Sequence, residues 1–137
     1  MSTPKRILLS GGGTGGHIYP AIAIAQAFQK QIPDVEILFV GAKGAMEERL
    51  VPNAGYQLET LPISGLQRQL TLKNIIRNLK LPFKLVQSHL GAKRILKAFQ
   101  PEIAVGTGGY ASYPMLSAAA GKVDIITALQ EQNAYPG

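Results

Sequence analysis

Several common features are missing from this chain of 137 residues, and each absence excludes a class of protein. The chain has no cysteine, which excludes a disulfide framework and favours a reducing compartment. Its apolar runs are far shorter than the roughly 20 residues of a membrane-spanning helix. The run after Lys5 and Arg6 stops at Ser10, too early for a signal peptide. We therefore expect one soluble, cytoplasmic domain that buries about 70% of its unfolded surface.

Acidic residues are absent between Glu59 and Glu102, where eight lysines and arginines lie. The net charge of the whole chain is +6, so its basic character belongs to this segment. A helical pattern kinked at Pro82 combines cations with apolar residues, as expected of an element that lies on an anionic membrane surface. A plain solvated helix face is the alternative. The predicted membrane-binding residues are Lys73, Arg77, Lys80, Leu81, Phe83 and Lys84.

Two nucleotide-binding motifs are incomplete. Gly11, Gly13 and Gly16 fit the pattern G-x-G-x-x-G, but the NAD or FAD fingerprint also requires an acidic residue after the second strand, and Gly41-Ala42-Lys43 provides none. A Walker P-loop requires lysine after its last glycine, where His17 stands. With two histidines and no pair of acidic residues at ligand spacing, we expect neither a metal nor a cofactor.

Apolar runs alternate with helical patterns along the chain. The runs are rich in Ile, Val and Leu without clean alternation, which is typical of parallel strands buried on both faces. This order predicts an α/β fold, a Rossmann-like parallel sheet with helices on both faces. The predicted strands are Arg6–Leu9, Val35–Val40, Tyr56–Ile63, Ile103–Val105 and Ile125–Leu129. The predicted helices are Pro20–Gln31, Met46–Asn53, Thr71–Phe99 with a break at Pro82, and Ser112–Ala120.

Three glycine-rich or amide-rich segments follow predicted strands. They are Ser10–Pro20 after the first strand, Gly106–Tyr110 after the fourth and Gln130–Asn133 after the fifth. Because the carboxyl ends of parallel strands share one edge of the sheet, we expect the three segments to form one cleft for anions and sugars.

The first of these segments joins a strand to a helix. Glycine allows a ligand to approach closely and the helix start offers N–H groups, so Thr14, Gly15 and Gly16 are the predicted contacts to a phosphate or sugar. His17 is the first candidate for a catalytic base. The alternatives are that the glycines only allow close helix packing, and that His17 only caps the turn or hydrogen-bonds to the second segment.

The other two segments supply polar and aromatic side chains. Tyr110 can stack on a sugar or hydrogen-bond to it, and a packing role is equally open. Glu131 is a second candidate for the base, or for a residue that orients the acceptor. The amides at 132 and 133 can bond to sugar hydroxyl or acetamido groups. The predicted substrate-binding residues here are Gly108, Gly109, Tyr110, Gln132 and Asn133.

Four motifs occur in a fixed order between Ile7 and the last residue. They are Gly12–His17 with Pro20, Ile63–Leu66, Gly108–Tyr110 with Ser112 and Pro114, and Glu131–Asn133 with Gly137. Together they resemble the MurG family of peptidoglycan glycosyltransferases. The chain departs from the family pattern at Gln130, where the family often has His, and at Ile125-Ile126, where it often has Ile-Pro.

The resemblance implies an inverting, two-domain GT-B enzyme at the cytoplasmic face of the bacterial inner membrane. Such an enzyme transfers N-acetylglucosamine from UDP-N-acetylglucosamine to lipid I, the undecaprenyl-diphosphate-linked muramoyl pentapeptide, and forms lipid II. It implies that residues 1–137 are the N-terminal, acceptor-binding half, that a C-terminal donor-binding domain is absent, and that Asn133 contacts the donor sugar-nucleotide. We therefore expect this half to bind acceptor without turnover.

Two other functions remain as alternatives. The basic segment and a pI near 9.7 allow a nucleic-acid-binding module, but the segment offers only Phe83 and Phe99 for stacking and has more lysine than arginine, so we expect no nucleic acid partner. A sugar-nucleotide epimerase or dehydrogenase is disfavoured because the chain lacks a Tyr-x-x-x-Lys pair and the acidic residue after Val40.

Overall fold

The computed structural model describes residues 3–63 and 71–131, in which five parallel strands form one sheet with helices on both faces. The strands are β1 (Arg6–Gly11), β2 (Glu36–Ala42), β3 (Gln57–Leu61), β4 (Ile103–Gly108) and β5 (Ile126–Leu129). The helices are α1 (Gly15–Gln31), α2 (Glu47–Asn53), α3 (Leu72–Leu79), α4 (Leu81–Phe99) and α5 (Ser112–Ala120). The predicted α/β fold class is confirmed.

The strand order is β3-β2-β1-β4-β5, so successive strands are added on one side of β1 and then on the other. Ile7 of β1 lies opposite Ile37 of β2 on one side and opposite Ile103 of β4 on the other. In open α/β sheets, ligands bind outside the carboxyl ends of the strands where the order reverses. The residues that follow β1 and β4 therefore occupy the expected position of a ligand site.

Side chains of the central strands alternate between two apolar cores, one on each face of the sheet. Leu8 packs with residues of α4 and α5, whereas Leu9 and Phe39 pack with residues of α1 and α2. Burial on both faces, as predicted, holds for β1, β2 and β4. It does not hold for β3 and β5, because these two strands lie at the sheet edges, where Leu129 is 62% exposed.

The strands and the first helix extend further into the glycine segments than predicted. β1 continues to Gly11 and β4 to Gly108, because the two strands pair with each other beyond their apolar residues. The α1 helix begins at Gly15 rather than Pro20, since Thr14 is extended and its carbonyl accepts from the N–H groups of residues 17 and 18. Pro20 therefore lies in the second turn, and His17 belongs to the first.

The basic segment forms two helices, and the break between them lies at Lys80 rather than at Pro82. Pro82 stands in the first turn of α4, where a helix has no N–H bond to lose. Thr71 caps α3, because its hydroxyl oxygen accepts from the N–H of Asn74 at 3.1 Å. At the other boundaries, β3 is shorter than predicted at both ends and β5 begins one residue later.

Candidate functional site

Two glycine loops meet at the carboxyl edge of the sheet. The first glycine loop is residues 11–16 and the second glycine loop is residues 106–110. The N–H of Gly12 donates to the carbonyl oxygen of Gly108 at 3.1 Å. Gly109 has φ of +98°, and a Cβ there would overlap the carbonyl oxygen of Gly12. The predicted convergence of these two segments is therefore confirmed, and only glycine at 109 allows the contact.

The third segment reaches the same edge through its first residue. The N–H of Gln130 donates to the carbonyl oxygen of Gly106 at 2.8 Å, and Glu131 follows as an exposed residue. Gln132 and Asn133 lie outside the described residues, as does most of the Ile63–Leu66 motif. Their predicted contacts therefore stay predictions.

His17 lies against both glycine loops. Its ring Nδ1 is 3.0 Å from the carbonyl oxygen of Gly12. A carbonyl only accepts hydrogen bonds, so Nδ1 carries the proton in this contact and Nε2 is the acceptor of a neutral ring. The ring lies over Gly108, where a Cβ would come within 2.7 Å of Nε2. Both the orientation and the tautomer of His17 are thus set by backbone groups of the two loops.

Hydroxyl groups fix the loops to the sheet and to α1. Thr107 Oγ1 donates to the carbonyl oxygen of His17 at 2.6 Å. Ser112 Oγ donates to the carbonyl oxygen of Ser10 at 2.6 Å and lies 3.0 Å from that of Gly108. Ser10 Oγ donates to the carbonyl oxygen of Val40 at 2.9 Å. Sequence reasoning missed Ser10 and Thr107, although a buried hydroxyl beside a glycine turn is a usual sign of such a bond.

Glu47 is a site residue that sequence reasoning missed altogether. It begins α2 and is 1% exposed, and its carboxylate accepts from the N–H groups of Gly13 at 2.9 Å and Ala42 at 2.7 Å. An acidic residue therefore does lie against the glycine loop, seven positions after Val40. It faces the back of the loop rather than the outer surface, so its position differs from that of the ribose-binding acid of the dinucleotide fingerprint.

The remaining predicted contacts lie at the surface of the site. Thr14 and Gly16 are exposed, Gly15 is half-buried, and the Thr14 side chain makes no capping bond to α1. Tyr110 is 57% exposed, so its ring is accessible to a ligand. Thr14, Gly16 and Tyr110 are therefore accessible from solvent.

The apolar stripe of α3, which consists of Leu72, Ile75, Ile76 and Leu79, faces outward. Leu72 is 76% exposed and Leu79 is 69% exposed, and no α3 residue is buried. In α4, Phe83 is 72% exposed, whereas Leu81, which was also predicted to bind the membrane, is half-buried. The cations Lys73 and Arg77 of α3 are exposed, as is Lys80 between the two helices, whereas Lys84 of α4 is half-buried. Within residues 3–63 and 71–131, no helix combines the length and the apolar character needed to cross a membrane.

Comparisons with known proteins identify the class. Residues 7–137 match the family described as "Glycosyltransferase family 28 N-terminal domain", and the chain belongs to this family. It is 55% identical, over 134 residues, to a protein of Cytophaga hutchinsonii named "UDP-N-acetylglucosamine--N-acetylmuramyl-(pentapeptide) pyrophosphoryl-undecaprenol N-acetylglucosamine transferase". A Phocaeicola vulgatus protein of the same name is 54% identical over 137 residues. The alignments cover 98% and 100% of this chain but 35% of each relative, so the chain spans about a third of their length.

Solved structures agree with this assignment. The structure titled MurG from Acinetobacter baumannii superposes with a TM-score of 0.78 at 30% identity, over 96% of this chain and 36% of that one. The fold expected from the resemblance, the N-terminal half of a GT-B glycosyltransferase, is confirmed. A UDP-N-acetylglucosamine 2-epimerase superposes at 0.56 and 16% identity over 93% of this chain and 32% of its own, which is a likeness of fold alone.

Proposed function

We propose that this chain is the acceptor-binding, membrane-associating domain of an inverting N-acetylglucosaminyltransferase. The enzyme moves N-acetylglucosamine from UDP-N-acetylglucosamine to the 4-hydroxyl group of lipid I. The proposal rests on the interlocked glycine loops around His17, in a chain 55% identical to a relative named for such a transfer. We assign donor binding to a further, C-terminal domain, in keeping with the threefold greater length of the relatives.

The chemistry needs one base and no cofactor. The acceptor hydroxyl oxygen attacks C1 of N-acetylglucosamine, the bond from C1 to the diphosphate breaks, and the base takes the hydroxyl proton. We assign this role to Nε2 of His17, because Nδ1 is occupied by the carbonyl of Gly12. Glu131, exposed after β5, is the second candidate, either as the base or as a residue that orients the acceptor.

Substrate contacts are assigned to the surface around His17. Thr14, Gly15 and Gly16 stand at the start of α1, where N–H groups and the helix dipole favour the acceptor diphosphate. The second loop, Gly108–Tyr110, contributes an exposed aromatic ring for a sugar. Gln132 and Asn133 keep their predicted role toward the donor sugar-nucleotide.

We assign the outer face of α3 and the start of α4 to the cytoplasmic surface of the bacterial inner membrane. This face combines exposed Leu72, Leu79 and Phe83 with the exposed cations of the same helices. Each lysine or arginine near an anionic leaflet contributes about 1 kcal/mol, and apolar side chains add to the attraction. A nucleic acid partner is not proposed, because large aliphatic side chains occupy this face.

Ligand binding tests the acceptor assignment. We would titrate the 137-residue chain, by NMR, with a short-chain lipid I analogue and separately with UDP-N-acetylglucosamine. The lipid analogue should saturate and shift amide signals of both glycine loops, whereas the sugar-nucleotide should bind weakly or not at all. If neither ligand shifts these signals, the chain is not an acceptor-binding domain.

Turnover tests the base. The chain would be joined to the remaining two thirds of the Cytophaga hutchinsonii relative, and sugar transfer measured. His17→Ala should lower kcat by about 10²-fold to 10⁴-fold. His89→Ala removes the only other histidine, which lies in α4, and serves as the matched control. Near-normal turnover of the His17 variant would eliminate the assignment.

Vesicle flotation tests the membrane face. Replacing Lys80 and Lys84 by glutamine should weaken partitioning onto anionic vesicles by about 30-fold, from about 1 kcal/mol for each charge. The same change at Lys93 and Lys97, further along α4, is the matched control and should have a smaller effect. Binding that does not depend on anionic lipid would contradict the assignment.

A further inference from the structure

We propose that Glu47 is a positioning residue that acts on His17 through the peptide bond between Gly12 and Gly13. This inference rests on the proposed function, which gives His17 the role of base. The carboxylate of Glu47 and the ring of His17 are bonded to opposite ends of one peptide group.

The contacts form an unbroken chain. Glu47 Oε2 accepts from the N–H of Gly13 at 2.9 Å. The carbonyl of the same peptide belongs to Gly12, and its oxygen accepts from Nδ1 of His17 at 3.0 Å. In a trans peptide the N–H and the carbonyl point in opposite directions, so the group links the carboxylate to the imidazole. Hydrogen bonds in such a chain polarise one another, and the carboxylate strengthens the carbonyl as an acceptor for Nδ1–H.

The carboxylate lies in a slot that only glycine leaves open. A Cβ on Gly12 would overlap its oxygens, and a Cβ on Gly41 would overlap its Cγ. The second oxygen accepts from the N–H of Ala42 at 2.7 Å, which ties the loop to the end of β2. Charge-assisted bonds of this kind are roughly twice as strong as neutral ones. Glu47 therefore holds the loop from behind, while His17 faces the surface in front.

The second loop secures the same peptide. The N–H of Gly12 donates to Gly108, and Gly109 packs directly over the Gly12 carbonyl. The N–H of Gly13 is already bonded to Glu47, so it is not available to a ligand. The arrangement parallels the carboxylate–histidine pairs that fix a tautomer and orient a ring, with a peptide group inserted between the partners.

The first test uses ¹⁵N NMR of the His17 ring in the 137-residue chain. The unchanged protein should show the Nδ1-protonated tautomer in the neutral ring. The glutamine side chain in Glu47→Gln has one acceptor oxygen in place of two, so it cannot accept from both the Gly13 and the Ala42 N–H groups. We therefore expect the Nδ1-protonated tautomer to lose its dominance and the Gly13 amide hydrogen to exchange at least ten-fold faster. Glu48→Gln is the matched control, because the exposed Glu48 accepts from Gly44 at 2.8 Å away from the loop. An unchanged tautomer and unchanged Gly13 exchange in a folded Glu47→Gln protein would overturn the proposal.

A second measurement needs no variant, so it tests the role of Glu47 even if Glu47→Gln does not fold. In the unchanged chain, Gly13 and Gly44 are both exposed, and the N–H group of each donates to a carboxylate. The partner of Gly13 is the buried Glu47, whereas the partner of Gly44 is the exposed Glu48. The Gly13 amide should exchange at least ten-fold more slowly than the Gly44 amide. Equal exchange would mean that the buried carboxylate does not hold the loop.

The third measurement separates positioning from stability. In the chimaera with the Cytophaga hutchinsonii relative, Glu47→Gln should lower kcat by about 10-fold to 100-fold, as does the loss of the outer partner of a metal-bound histidine, with KM within two-fold. Glu48→Gln should stay within two-fold in both. If the unchanged chimaera transfers no sugar, the proposed function fails, while the tautomer and exchange results still decide the role of Glu47. A normal kcat for Glu47→Gln in an active chimaera would overturn the proposal that Glu47 positions His17.

Discussion

Replacing Gly109 by alanine should destabilise the protein by more than the same change at Gly13. Both glycines have positive φ, +98° at Gly109 and +82° at Gly13, and each alanine costs about 1–2 kcal/mol for that conformation. The surroundings differ. A Cβ at Gly13 would meet nothing within 4 Å. A Cβ at Gly109 would overlap the carbonyl oxygen of Gly12 and would lie 3.0 Å from the carbonyl carbon and from the backbone nitrogen of Gly12.

The overlap sets the expected magnitude. The Gly12 atoms belong to the backbone and are held by Gly108 and His17, so they cannot rotate away as a side chain can. Forcing extra atoms into a packed site costs about 1–3 kcal/mol. The free energy of unfolding should therefore fall by about 2–5 kcal/mol for Gly109→Ala and by about 1–2 kcal/mol for Gly13→Ala.

Urea unfolding followed by circular dichroism measures both variants. The slope of free energy against urea should stay the same, so that a change in midpoint reports a change in stability. If Gly109→Ala and Gly13→Ala lose equal stability, the contact between the two loops does not form as described, and the convergence of the loops on His17 is refuted.

Three further predictions concern stability and the membrane face. Burial raises the pKa of Tyr56 above its ordinary value of 10.0. The stability that Tyr56 contributes through this shift is complete below pH 10 and is lost as pH rises through the raised pKa. Tyr56→Phe should therefore reduce the decrease in urea midpoint at alkaline pH. Leu9 is 0% exposed, and Leu9→Ala should lower the unfolding free energy by about 2–5 kcal/mol in the same assay, a loss that a partly collapsing site would reduce. Leu79→Gln and Phe83→Gln should change the free energy of unfolding by less than about 0.5 kcal/mol yet weaken flotation with anionic vesicles. As the control, Val123→Gln at another exposed position should change neither stability nor flotation.

Most of the fold could be predicted because the strands that form the centre of the sheet are continuous apolar runs. Such runs at β1, β2 and β4 identify strands buried on both faces, and their alternation with helices requires parallel pairing. The limits of the elements were less predictable near glycine. The end of β1 depends on its pairing with β4, and the first turn of α1 is held by the bond from Thr107 to the His17 carbonyl; both are contacts between distant segments.

The site was predictable where topology alone determines it. The loops after β1 and β4 converge because the strand order reverses between these strands. Glu47 was not predictable, because nothing in the local sequence at the start of α2 indicates that this helix brings a carboxylate behind the first loop. The outward stripe of α3 is a similar case, since periodicity reveals an apolar face but not whether another element covers it.

The distribution of charge around the loops limits what this chain contributes to the proposed reaction. Neither glycine loop contains a lysine or arginine, and the buried charge in contact with the first loop is the carboxylate of Glu47. A leaving diphosphate gains negative charge as its bond to the sugar breaks, and cations or a preorganised set of donors must stabilise it. The loops offer helix-start N–H groups but place a negative charge behind them. The helix-start N–H groups can hold the acceptor diphosphate, whose charge does not change in the reaction, whereas the charge that the leaving group gains requires further cations or donors. This agrees with the assignment of donor binding to another domain.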